Sequence, residues 1–124
     1  MEEIVEVIEI IEAELSIELH TDDAENLIDE MYCKNDFTIE IDGGEYRFIN
    51  DSEIWDIYFE EQKDLIEELY LPRMTDLWWI EIDWDATINN VLDSDGYGHH
   101  FATYDGDENT IIWNNETWYI FRTN

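Results

Sequence analysis

Asp105, Asp107, Asn109, Ile112 and Glu116 stand at steps 1, 3, 5, 8 and 12 of a calcium-binding helix–loop–helix loop, so cation coordination is the first chemistry the residues suggest. Oxygen ligands at those steps can wrap a hard cation, and a final carboxylate closes the site. The sixth step, however, is Thr110, where the sharp turn needs glycine, and residues 99–104 make a poor entering helix. A hairpin is the expectation for this stretch. Asp93, Asp95, His99 and His100 are further ligand types, but no spacing among them fixes a tetrahedral set, and His20 and Cys33 are remote in sequence. No metal and no cofactor is expected.

Catalysis has as little support. The sequence lacks a glycine-rich phosphate loop, a nucleophile elbow, paired cysteines and a helical histidine pair of the zinc type. With 34 Asp and Glu, some carboxylates will always lie close, so proximity alone says nothing about glycoside or acid–base chemistry. A non-enzyme is expected.

The carboxylates themselves form rows. Glu53, Asp56, Glu60, Asp64 and Glu67 follow at three- and four-residue steps, and on a helix such neighbours lie about 5–6 Å apart along one face. That step is of the same order as the spacing of phosphates along a nucleic-acid strand. Asp22, Asp23, Glu25, Asp29 and Glu30 make a second acidic face, and Glu2, Glu6, Glu9 and Glu12 a third. Solvated helix faces normally interleave lysine and arginine with their acids, but only Lys63 interrupts the row from Glu53. Trp79, beside Trp78, is a candidate aromatic anchor within an acidic rim.

The elements that must position these rows are legible from periodicity. Ile4, Ile8, Ile11 and Leu15 give a helix over 3–18, although the β-branched density there also suits a strand. A second helix follows, capped by Thr21 or Asp22, with Ala24, Leu27, Ile28, Met31 and Tyr32 inward. Alternation through Phe37, Ile39 and Ile41, the turn residues Asp42-Gly43-Gly44, then Tyr46 and Phe48, predicts a hairpin. Asp51 or Ser52 caps a helix over 53–70, with Ile54, Tyr58, Leu65, Ile66 and Leu69 inward, that Pro72 ends. Beyond it come a strand over 78–82, a helix from an Asp83 cap to Leu92, a loop over 93–98, and strands over 99–104, 109–114 and 117–122. The fold class is α+β, with about three to four helices and antiparallel β-hairpins in a small antiparallel sheet. Residues 1–124 are expected to form a single acidic domain.

Six Trp, seven Tyr, five Phe and 18 Ile supply a core, so the formal charge of -29 does not imply disorder. Phosphate backbones and anionic membranes would be repelled, which excludes direct nucleic-acid and membrane binding and leaves a basic DNA-binding protein or nuclease complex as the expected partner. A homodimer is also allowed. Adaptation to high salt would explain the acidity as well, but 18 Ile and nine Asn against three Val and four Ala depart from that composition. The lone Cys33 and the absence of an apolar run near ~20 residues make the cytoplasm the expected location.

Extreme acidity, a first cation at Lys34 and abundant aromatics together resemble the DNA-mimic inhibitors of phages and plasmids, the anti-restriction and anti-CRISPR classes. Ile82-Asp83-Trp84-Asp85-Ala86, Leu92-Asp93 and Tyr119-Ile120-Phe121-Arg122 are similar to stretches of ArdA-type anti-restriction proteins. The resemblance implies an inhibitor that binds the nucleic-acid-binding surface of a host restriction or CRISPR complex and acts by occupancy. The alternatives are an immunity protein covering a basic nuclease toxin and a halophilic or calcium-binding acidic module.

Overall fold

The computed structural model describes residues 2–69 and 81–124. These form four helices and one antiparallel four-stranded sheet, an α+β arrangement: α1 (Glu2–Leu15), α2 (Thr21–Cys33), β1 (Asp36–Ile41), β2 (Gly44–Asn50), α3 (Asp51–Leu69), α4 (Trp84–Phe101), β3 (Asn109–Trp113) and β4 (Glu116–Arg122). The strand order is β1-β2-β4-β3. Two sequential hairpins are thus joined side by side through β2 and β4, with Tyr46 opposite Arg122 and Asn50 opposite Trp118.

Alternation along the two central strands builds a core on each face of the sheet. Tyr46, Phe48, Trp118 and Ile120 turn toward α1 and α2, where Val7, Ile11, Leu27 and Met31 meet them. Ile49 and Phe121 turn the other way and pack with Ile54, Tyr58, Ile88 and Phe101 from α3 and α4. The result is three layers, with a helix pair on either side of one sheet. Burying each large apolar side chain stabilises by roughly 1.5–3 kcal/mol relative to exposure, so both faces contribute heavily.

The first segment is a helix, because Val7 and Ile11 bury on one side with Ile4, Ile8 and Leu15 packed about them. It stops sooner than its periodicity predicts, at Leu15, since Ser16 takes a φ of 55°. The turn between β1 and β2 has positive φ at both Asp42 (49°) and Gly43 (79°), the geometry that matches hairpin twist. Asn114 and Asn115 do the same between β3 and β4.

Two helix starts differ from expectation. His20 is the residue before α2 and makes no side-chain cap, while Asp22 and Asp23 lie inside the first turn, where the helix dipole favours them. At α3 the cap is the buried Asn50, whose Oδ1 accepts the Ser52 N–H at 2.9 Å and whose Nδ2 donates to Glu116 at 3.0 Å. Because β2 runs directly into α3, the last strand residue does what Asp51 or Ser52 was expected to do. The Asp83 cap is present, accepting the Ala86 N–H at 3.1 Å.

The largest correction concerns 93–104. Neither a loop over 93–98 nor a strand over 99–104 forms; α4 continues to Phe101 with one non-helical residue, Gly96, at φ 76° and ψ 170°. The glycine breaks the hydrogen-bond run, but Tyr97 and Phe101 beyond it stack edge-on against Tyr58 at 5.1 and 5.9 Å. Tertiary aromatic packing holds the last turn helical despite weak local propensity. The strand expected over 78–82 lies outside the described residues apart from Glu81 and Ile82, which are in neither helix nor strand, and Pro72 lies outside them too.

Candidate functional site

Along α3, Asp56, Glu60, Asp64 and Glu67 are exposed, and Glu53 is partly buried at the first turn. The apolar residues Ile54 and Tyr58 on the opposite side anchor the helix to the sheet, so the acidic row faces outward as a consequence of the core. Lys63 stands 3.9 Å from Glu67 and its ammonium lies over the Trp84 ring at 5.4 Å, which draws it back toward α4.

On α2, Asp22, Glu25 and Asp29 are exposed, and Asp23 and Glu30 partly buried. Glu30 holds Lys34 at 3.0 Å. This helix belongs to the layer on the other side of the sheet, so the two expected groups of binding carboxylates are not gathered into one patch; they occupy opposite outer faces. Trp79 lies outside the described residues. Glu2, Glu6 and Glu9 on α1 are exposed, whereas Glu12 turns back to accept the Leu19 N–H at 2.9 Å and fastens the link to α2.

A groove of about 470 Å³ separates α2 from β1, walled by Asp23, Asp29 and Glu30 and bordered by Thr38, Ile39 and Glu40. It is polar and open.

Sequence spacing did not disclose the partly buried ionic network of Arg47, Asp36, Glu61 and His100. Arg47 on β2 forks onto Asp36 of β1 at 2.8 and 2.7 Å, donates to Glu61 of α3 at 2.8 Å, and covers the Phe101 ring at 5.0 Å. His100 Nε2 lies 2.9 Å from the other oxygen of Glu61. The hydrogen bond with His100, reinforced by Arg47, holds the Glu61 carboxyl down at about 2, and Asp36 foremost keeps Arg47 firmly protonated. A signal existed: Glu61 follows Ile54 and Tyr58 by steps that place it on the inward stripe of α3, unlike its neighbour Glu60. Below this network, burial pushes the Tyr97 phenol up to about 12 and raises those of Tyr58 and Tyr119.

The calcium spacing folds as a hairpin: Asn109 lies on β3, Glu116 on β4, and Glu116 is engaged by Asn50. Asp105 accepts the Asp107 N–H in a local turn. Among the described residues no group of three or more His, Cys, Asp and Glu is placed to hold a metal ion, and no helix is long and apolar enough to cross a membrane. His100 is committed to Glu61 and to the Phe101 ring at 4.7 Å.

The fold and its surface therefore define a three-layer acidic α+β protein with carboxylate rows on both outer helix layers. No protein-family model matches the chain, and no curated protein or solved structure matches it significantly.

Proposed function

We propose that the protein is a DNA mimic: an inhibitor in the host cytoplasm that lays carboxylates where a restriction or CRISPR complex receives phosphates, and so blocks DNA binding by occupancy. The observation that carries this reading is the run of outward acids Asp56, Glu60, Asp64 and Glu67 on one rigid helix, within a chain of formal charge -29. Helical repetition fixes their spacing, and a field of that size draws a basic surface from a distance. Every cation among the described residues is occupied. Lys34, Arg47 and Lys63 face carboxylates, and Arg122 donates to the Asn124 carbonyl and stacks on Tyr104 at 4.1 Å. An immunity protein for a basic nuclease would gather its charge around one patch, whereas these acids cover both outer layers.

The test is DNA binding and cleavage by a type I restriction enzyme and by a CRISPR nuclease, titrated with the protein over a range of salt. Inhibition competitive with DNA and weakening as salt rises is expected. The triple variant Asp56→Lys, Glu60→Lys, Asp64→Lys should lose inhibition while keeping its circular dichroism spectrum. Saturating protein that leaves DNA binding by every such complex unchanged would overturn mimicry.

A further inference from the structure

Strand β1 stands at the margin of the sheet, and among the described residues no strand pairs with its outer side. Its hydrogen-bond phase is fixed. Asn50 donates its N–H to the Asn35 carbonyl at 2.7 Å, and the two-residue turn brings Ile41 opposite Gly44. Antiparallel pairs alternate between bonded and non-bonded, so residues 35, 37, 39 and 41 turn their backbone groups inward to β2. Asp36, Thr38 and Glu40 therefore point theirs outward, and these three N–H and three C=O groups are a template for another strand.

The surroundings say what kind of strand. The groove of about 470 Å³ runs along this edge beneath α2, with Asp23, Asp29 and Glu30 above it and Ile39 at its floor, and its one lysine, Lys34, is already held by Glu30. A second copy of this chain is disfavoured: antiparallel pairing centred on Thr38 would bring the acidic rims of both grooves, Asp23, Asp29 and Glu30 of each copy, side by side over one face of the sheet. A segment bearing lysine or arginine opposite Phe37 and Ile39 reverses the sign of that encounter, because cross-strand partners share a face and Phe37 and Ile39 lie on the α2 side of the sheet.

We propose that the outer edge of β1 docks an extended basic segment of the partner protein, which adds as a fifth strand and sends alternate cations into the groove under α2. The proposal rests on the reading that the partner is a basic protein, but it assigns a surface on the opposite layer from the α3 row. Backbone pairing supplies register, and the acids supply preference for charge.

The probe is a synthetic peptide of about ten residues alternating arginine and threonine, long enough to cover the strand. Backbone amide exchange is followed by NMR with and without peptide. Exchange at Asp36, Thr38 and Glu40 should slow by about tenfold or more on binding, because these amides gain carbonyl partners. Thr38→Pro, which removes an outward N–H that the sheet does not use, should weaken peptide binding by about tenfold while leaving the melting curve cooperative. Peptide binding with unchanged exchange at those three amides, or undiminished in a folded Thr38→Pro, would overturn the edge and leave only diffuse attraction. Protected amides without inhibition of any DNA-processing complex would refute mimicry and leave the edge standing, and inhibition by a folded Thr38→Pro equal to wild type would refute the edge as the inhibitory contact alone.

Discussion

His100 Nε2 lies 2.9 Å from Glu61 Oε1, across the seam between α4 and α3, and the same carboxylate reaches down to Arg47 on the sheet. One side chain thus ties three elements together. In a molecule where most acids have no cation to answer them, this network turns charge to cohesion between elements, and the histidine side chain there is only 14% exposed. Hydrogen bonds to ionised partners are roughly twice as strong as neutral ones, so the network adds to the apolar contacts that hold the α3–α4 layer on β2.

Glu61 should therefore make an acid-sensitive contribution to stability. Its folded carboxyl is depressed to about 2, so the contribution is complete above the ordinary carboxylate range and is lost as pH falls through about 2. Glu61→Gln should melt below wild type at about pH 6, with the gap closing toward about pH 2. Relief of like-charge crowding on acidification is common to both proteins and cancels in the difference. A gap that is constant across the range would show that the carboxylate charge contributes nothing.

The tyrosines set the limit at the other extreme. Burial raises Tyr97 to about 12, with Tyr58 and Tyr119 shifted in the same direction. A group raised on folding stabilises fully below its unfolded value, here about 10, and loses that contribution as pH rises through its folded value. Ultraviolet titration of phenolate should show a late-ionising class whose appearance coincides with loss of far-ultraviolet ellipticity. Tyr97→Phe should extend the folded range to higher pH; an unchanged alkaline midpoint would remove Tyr97 as its cause.

Gly98 is a packing requirement. A Cβ there would meet the Gly106 carbonyl oxygen at 2.5 Å, and the obstacle is backbone, which cannot swing aside. Gly98→Ala should cost about 1–3 kcal/mol in urea denaturation by forcing the 105–107 turn away from α4. An unaltered midpoint would mean that this turn yields freely.

What could be read in the sequence divides along physical lines. Asp42-Gly43 and Asn114-Asn115 announce their hairpins because positive φ is demanded locally, and the acids of α3 announce their face because helical periodicity is local too. The Asp83 cap is visible for the same reason. By contrast, Asp93-Ser94-Asp95-Gly96 has the composition of a loop, and only the contact of Tyr97 and Phe101 with Tyr58, some forty residues away, makes the following turn helical. The inward role of Glu61 depends on Arg47 and His100 meeting it from two other elements. The separation of the α2 and α3 acids onto opposite layers follows from which sheet face each helix covers, and no local pattern encodes that.

The seam between β2 and β4 joins Asn50 to Trp118 across the whole of α3 and α4. On the ribosome, the first hairpin emerges long before the strand that will lie beside it. Until then α1 and α2 lack Trp118 and Ile120, and α3 and α4 lack Phe121, so neither layer has its floor. The nascent chain consequently carries two unfinished apolar surfaces until β4 has emerged. In that interval the acids that later face outward have a second effect, for neighbouring unfinished chains repel one another until β4 pairs with β2 and completes the floor of each layer.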